Sequence, residues 1–207
     1  NTSNQTQRSV YMAFETGADV NTRQVLYEQG GGTNGFAMYI ENGRLYVGAW
    51  AGNGGTFDLF SSTPIAANSA NVGGFVFDSS GAGNFRGYLN GTNFGTLANT
   101  SQMPSHTGAI GIGGMNNAAR FQGAGSLSGS GFEFTGKIGE FLNYDTASSP
   151  ADAAAIQSYL TSRWATPVAQ DTVNGGAGND TLTLTTNQAD ITLDGSNISN
   201  VETISLN

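Results

Sequence analysis

The sequence predicts an all-β protein with one short helix near residue 150, and three observations carry that reading. Gly supplies 31 of the 207 residues and Pro only 4, a composition of many turns and short strands rather than long helices. Period-two apolar runs recur along the chain, several separated by Asn-Gly, the dipeptide suited to tight hairpin turns. One run alone has helical spacing, and it follows a Ser-Pro start signal at Ser149-Pro150.

Ser9 to Glu15 alternates Val10, Met12 and Phe14 against Tyr11, Ala13 and Glu15, the pattern of a half-buried first strand. Gln24 to Gln29 gives a second. Asn34-Gly35 and Asn42-Gly43 are turn signals, and the latter joins residues 36–41 to 44–50 as a hairpin. Asn71 to Asp78 is a strand, Ser79 to Asn84 turns, and Phe85 to Asn90 returns toward a tip at Asn90-Gly91. Gly108 to Gly113 supplies another strand. The segment from Gly114 to Gly131, rich in Gly, Asn and Ser, reads as a long loop, and loops of that length are usually functional or mobile.

Phe132 to Trp164 organises the rest. Phe132, Phe134, Ile138, Phe141 and Tyr144 are β-formers on one long strand, with Gly136 and Gly139 as places where another backbone approaches. Ser149 caps the helix, Pro150 takes its first position, and Asp152 suits the positive N-terminal end. Ile156, Tyr159, Leu160 and Trp164 then fall on one face, predicted to pack on a sheet.

The strand Gly136-x-Ile138-x-Glu140, the turn Tyr144-Asp145 and the helix ending Tyr159-Leu160-x-x-x-Trp164 resemble the C-terminal end of laminin G-like, concanavalin A-like jelly rolls. The hairpin leading to Tyr88-x-Asn90-Gly91 resembles the same family. The resemblance covers most of the first 166 residues. It implies an antiparallel two-sheet jelly-roll sandwich over residues 1–166 with one short C-terminal helix. Members of such families bind sugars, proteins or calcium and only sometimes catalyse.

After Trp164 the composition shifts, and Ala165-Thr166-Pro167 reads as a linker to a small β-rich extension over residues 167–207. Gly175 to Thr183 resembles the nonapeptide Gly-Gly-x-Gly-x-Asp-x-apolar-x of calcium-binding repeats-in-toxin (RTX) segments. That resemblance implies calcium held by the Asp180 side chain and by carbonyls of the preceding turn, with Gly176 and Gly178 as the further metal-site residues. Each such ion needs two stacked turns, and one copy alone does not make the site. Thr181 to Thr185, Asp190 to Leu193 and Val201 to Leu206 read as short strands, like degraded or capping rungs.

Acids outnumber bases 15 to 7, and the net charge of -8 leaves no basic stripe to neutralise phosphates, so nucleic acid is excluded as a partner. The absence of cysteine excludes disulfides and thiolate metal sites, and the lone His106 excludes a histidine-rich zinc site. Calcium, which takes oxygen ligands, stays open. No run is long or apolar enough to span a bilayer, and the N-terminus lacks the order of a signal peptide. Starting at Asn1, the chain reads as a fragment or a processed product.

Glycosidases of the sandwich class resemble Glu-x-Asp-x-Glu on one strand, which this sequence lacks. Glu133 and Glu140, seven apart on the expected strand, would face opposite ways, so no enzyme is expected. His106 beside Ser105 reads as a solvent loop. For calcium in the sandwich, Asp78 with Asn84 across its turn, and Asn116 and Asn117, offer hard oxygen ligands, although Asp and Asn are also plain turn formers. For a sugar, Tyr46 and Trp50 share strand parity, and Trp50 at a strand end beside Asn53 is the best stacking candidate, with Asn116 and Asn117 as further ligand-binding amides.

The expected function is a calcium-dependent extracellular carbohydrate- or matrix-binding adhesion module of a larger secreted or surface protein. The alternative is a self-assembling structural subunit of a filament or surface layer. In that case Thr-rich C-terminal strands would pair with other copies.

Overall fold

The computed structural model describes residues 3–52, 56–60, 63–80, 84–98, 101–165, 173–184 and 198–206, with the backbone alone for 56–60, 173, 184, 205 and 206. The chain divides into two compact units, Asn1–Thr166 and Pro167–Asn207.

In the first unit the strands are β1 (Gln7–Glu15), β2 (Gln24–Gly30), β3 (Asn34–Glu41), β4 (Arg44–Ala51), β5 (Thr56–Phe60), β6 (Ala70–Asp78), β7 (Asn84–Leu89), β8 (Thr92–Ala98), β9 (Ile110–Ile112), β10 (Ala118–Phe121), β11 (Gly125–Ser128) and β12 (Lys137–Tyr144). The helix α1 (Pro150–Leu160) follows and ends in a π-helical turn over Thr161–Ala165. Two five-stranded sheets, ordered β12-β1-β6-β7-β8 and β5-β4-β3-β2-β9, form an antiparallel jelly-roll sandwich. Asn42-Gly43 and Asn90-Gly91 make the expected hairpin turns, both residues of each pair having positive φ (50° and 66°, 49° and 82°).

Alternation along the strands sends Val10, Met12, Phe75, Phe77 and Phe85 inward from one sheet and Leu26, Phe36, Met38, Leu45 and Val47 from the other. Phe36 stacks on Phe75 with ring centroids 5.6 Å apart and meets Phe77 edge-on at 5.2 Å. Burying each such side chain contributes about 1.5–3 kcal/mol, so this shared interior is what holds the sheets together.

The outer face of the first sheet is covered by α1. Ser149 caps the helix in a full capping box with Asp152, and Pro150 stands at its start. Its buried side chains are Ala153, Gln157 and Leu160, packing on Tyr11, Ala13, Val72 and Tyr88. Of the expected face, Leu160 and half-buried Ile156 pack on the sheet, while Tyr159 and Trp164 remain 45% and 43% exposed. Gln157, which is not on the expected face, is buried as well: its Oε1 accepts the Gly91 N–H at 2.9 Å and so ties the helix to a hairpin tip.

The outer face of the second sheet is covered too. The segment expected as a long loop is the hairpin β10–β11, and its Ala119 and Phe121 pack with Met115 on Val25, Ala37, Tyr39 and Trp50. Arg23 fastens the hairpin, its guanidinium bonded to both Glu41 oxygens (2.8 and 3.0 Å) and lying 4.4 Å from the Phe121 ring centroid. Two further expectations change. Asn34-Gly35 lies inside β3 and the turn is Gly31–Thr33; β12 starts at Lys137, with Phe132 at φ 55° and Glu133 before the strand.

The second unit pairs β13 (Val173–Asn174) with β15 (Ile198–Ser199) and β14 (Thr181–Leu184) with β16 (Thr203–Leu206), both in parallel. Residues 190–193 lie outside the described residues.

Candidate ligand-binding cleft

A polar cleft of about 340 Å³ opens between the β2–β3 turn, the segment before β9 and the start of the β10–β11 hairpin. Gly108 lets two backbones close in, since a Cβ there would collide with the Gly30 carbonyl. The side chains lining it are Thr33, Asn34, Ser105, His106, Thr107 and Asn117, all hydroxyl, amide or imidazole. Asn34 Oδ1 is itself buried, on the side of Gly52, without a hydrogen-bond partner. Asn117 holds φ 92° and its carbonyl accepts the Gly129 N–H at 2.5 Å, which fixes the hairpin start.

His106 is buried, not the solvent-loop residue expected. Tyr27 O–H donates to Gln29 Oε1 at 2.6 Å, and Gln29 Nε2 donates to His106 Nε2 at 3.1 Å. That leaves the proton on Nδ1, which donates to the Pro104 carbonyl at 3.0 Å. Burial holds the imidazole below its ordinary pKa despite the Pro104 hydrogen bond. The cleft thus presents no charged side chain at neutral pH.

Glu28 lies beside it on the outer face of β2, fully buried, with Oε1 accepting the Asn116 N–H at 3.0 Å and Oε2 unpartnered. Burial pushes its pKa up to about 7, against the lowering effect of that hydrogen bond.

Of the expected ligand-binding residues, the structure brings Asn117 into the cleft and places exposed Asn116 over Glu28. Trp50 is a correction. It is fully buried under the β10–β11 hairpin, and its indole N–H donates to the Gly31 carbonyl at 2.6 Å, so it offers no face to a sugar. Tyr46 is half-buried and stacks on Tyr39 at 4.9 Å. Asn53 lies outside the described residues. Sequence reasoning missed Asn34, read as part of a turn, and Glu28, whose strand position gave no sign that a hairpin would cover it.

Asp78 Oδ1 accepts from Ser80 Oγ (2.6 Å), Ser80 N–H (3.0 Å) and Gln7 Nε2 (3.4 Å). Burial works to raise its pKa, but these hydrogen bonds prevail and hold it below the ordinary carboxylate value. Its geometry is that of a turn former. Across the turn, Asn84 Oδ1 is buried without a partner.

In the second unit, Gly176 (φ 87°) and Gly178 (φ 136°) shape the turn before Asp180. A second turn stacks on it: Gly175 N–H donates to the Ser199 carbonyl at 3.1 Å, and Asp180 N–H to Glu202 Oε2 at 2.7 Å. Asp180 Oδ2 is buried without a partner. Asp180 therefore fits a hard cation in chemistry and in its free oxygen, while Glu202 Oε2 is already engaged. Among the described residues no three His, Cys, Asp or Glu side chains form a metal-binding group.

The fold and the cleft define a jelly-roll β-sandwich with a shallow, uncharged polar groove at the end of one sheet. No protein-family model matches the sequence, and no curated protein matches it. Solved structures do. The CBM40 module of the Ruminococcus gnavus IT-sialidase, bound to α2,3-sialyllactose, is 20% identical over 74% of this chain and 83% of that one, with a TM-score of 0.57. The heptameric SAP-like pentraxin of Limulus polyphemus is 15% identical over 75% and 71% (TM-score 0.55). The receptor-binding domain of botulinum neurotoxin type G is 13% identical over 75% and 38% (TM-score 0.54). Likeness at this identity shows the fold alone. No helix among the described residues is long and apolar enough to cross a membrane.

Proposed function

We propose that the first unit is a non-enzymatic carbohydrate-binding module whose saccharide lies in the Gly31–Asn34 and Ser105–Gly108 cleft. The observation that carries this is the cleft's chemistry: the amides of Asn34 and Asn117, the hydroxyls of Thr33, Ser105 and Thr107, and no charged side chain. Sugar hydroxyls entering there can exchange hydrogen bonds with these amides and hydroxyls. The similar CBM40 structure holds sialyllactose, and a further similar structure concerns a neurotoxin dependent on gangliosides, which supports a saccharide.

The non-enzymatic part of the proposal draws support from the carboxylates. Glu140 is held by Trp164, Tyr159 and Arg163, and Glu133 stands outside the strand, so the pair forms no acid and base couple.

The laminin G-like resemblance of Gly136 to Trp164 and the RTX-like resemblance of Gly175 to Thr183 support an extracellular adhesion module, with calcium bound at Asp180. The test is a glycan array run with calcium and with chelator, followed by calorimetry of the best ligand. Binding weakened by Asn34→Ala is expected; an array without any glycan bound overturns the reading.

One observation favours self-assembly as a second reading. Among the described residues β14 and β16 each have one strand neighbour, and Ile204 is 45% exposed. Light scattering that finds polymers in the absence of sugar supports it, and a monomer at high concentration excludes it.

A further inference from the structure

A second polar cavity, of about 260 Å³, opens at the start of β1, lined by Ser3 to Arg8 and by Asp145. It adjoins the cleft through a shared wall. Asn4 Oδ1 accepts the Ser105 N–H at 2.9 Å, and Gln5 and Met103 exchange backbone hydrogen bonds of 2.8 and 2.9 Å.

Arg8 lies in this cavity, with its side chain only 7% exposed. Two of its nitrogens are fixed by neutral groups: Nε donates to Gln5 Oε1 at 3.0 Å and Nη1 to Asn143 Oδ1 at 2.8 Å. The third, Nη2, meets Asp145 Oδ1 at 3.1 Å, and the Asp145 side chain is 89% exposed. Beside the guanidinium, Gln5 Nε2 is a buried amide donor without a partner. A buried cation is thus held rigidly in place by amides and balanced by a carboxylate standing in water. An ion pair with so exposed a member is weak, because solvent screens it and ordering the side chain costs entropy.

We infer that this cavity is a carboxylate subsite, so that the saccharide is an acidic one, a uronate or another carboxylate-bearing sugar. This rests on the cleft being the saccharide site. The sugar carboxylate takes the place of Asp145 on Arg8 Nη2, while its hydroxyls continue across the Asn4–Ser105 wall into the cleft. The planar guanidinium suits a carboxylate, and Asp145 marks where one fits. The net charge of -8 does not prevent this, since charges farther than about 10 Å are largely screened at 0.1 M salt.

The experiment is calorimetry of the full chain with uronate-bearing oligosaccharides and their carboxyl-reduced neutral forms. Wild type, Asp145→Asn and Arg8→Lys are compared, with circular dichroism to check each fold. Wild type is expected to bind the acidic form more tightly. Asp145→Asn, at an exposed position, should raise affinity for the acidic form by roughly fivefold at most, the competition an exposed ion pair offers, and leave the neutral form unchanged. Arg8→Lys should narrow the preference. Equal wild-type affinity for the two forms, or an unchanged preference in Asp145→Asn, removes the carboxylate subsite and leaves the cleft standing. If neither form binds, the cleft reading itself fails and this inference with it.

Discussion

The indole N–H of Trp50 reaches the backbone carbonyl of Gly31 at 2.6 Å and so joins β4 to the turn that walls the cleft. Gly35 makes room for it, because a Cβ there would stand 2.7 Å from the ring. Trp50 is thus a support for the cleft wall from beneath. Trp50→Phe should cost about 1–3 kcal/mol, chiefly from the unpaired Gly31 carbonyl. Trp50→Ala should cost about 3–5 kcal/mol, as large-to-small changes of buried aromatics do. Urea denaturation measures both, and an alanine variant as stable as wild type would place Trp50 outside the core.

The cleft amides are expected to act on affinity and not on stability. Asn34→Ala removes one lining amide, and Asn117→Gly removes the other while tolerating φ 92°. Each should weaken a bound saccharide by about 1 kcal/mol, the net value of one hydrogen bond. Calorimetry that finds neither variant weaker would move the saccharide out of this cleft.

Glu28 predicts a pH dependence of stability. Its folded pKa, about 7, lies above the ordinary 4.5, so between those values the folded state binds more protons than the unfolded chain. Stability from this group is full below the unfolded value and is lost as pH rises through about 7. His106 acts oppositely, since its lowered pKa makes stability fall as pH drops below the ordinary histidine value. The comparison of wild type with Glu28→Gln isolates the first effect. The variant should gain on wild type from pH 5 to pH 8 by about 1–3 kcal/mol, within the bound set by the shift. Parallel melting curves across that range would show that Glu28 is not protonated in the fold.

Alternation and Asn-Gly pairs made the sandwich strands legible, because side chains such as Val10, Met12 and Phe14 must share one face to be buried. The helix start was legible for an equally local reason, the capping chemistry of Ser149 and Asp152. The hairpin β10–β11 was not, since Ala119 alternates with Ala118 and Arg120 too weakly to mark a buried face. That omission misplaced Trp50. Its strand parity was right, but which residues cover an outer face is set by tertiary contacts with Phe121 and Met115. Arg8 was silent for the same reason, its partners Asn143 and Asp145 being far away in the chain.

Glu140 collects the end of the helix. Its Oε2 accepts the Trp164 indole N–H at 2.8 Å, the Tyr159 hydroxyl donates to it, and Arg163 lies 3.5 Å away. Gly139 lies under the indole, where a Cβ would stand 2.7 Å from the ring. Gly139→Ala should push Trp164 outward and red-shift its fluorescence, with Trp50 as the buried internal reference. Glu140→Gln, which keeps an acceptor, should shift it less than Glu140→Ala. An unchanged spectrum in all three would mean that Trp164 is not seated on β12.

Asp180 should respond to calcium, and more strongly than any residue of the sandwich. The expectation that a lone nonapeptide lacks a partner turn is met by a second turn without the motif, Ser199 to Glu202, stacked through the Gly175–Ser199 and Asp180–Glu202 hydrogen bonds. Among the described residues Asp180 Oδ2 is a buried carboxylate oxygen without a partner, so the ion would draw one carboxylate oxygen from it and the remainder from turn carbonyls and water. So few charged ligands imply an affinity on the order of millimolar, the range of extracellular modules. Calcium bound to the folded form alone adds stability only as its concentration passes the dissociation constant. Limited proteolysis of wild type and Asp180→Ala, each with calcium or chelator, reads this out. Cleavage after residue 166 should slow in wild type with millimolar calcium and in no other condition. Equal rates in all four conditions would mean that the two stacked turns stand without an ion and that the nonapeptide serves here as a turn.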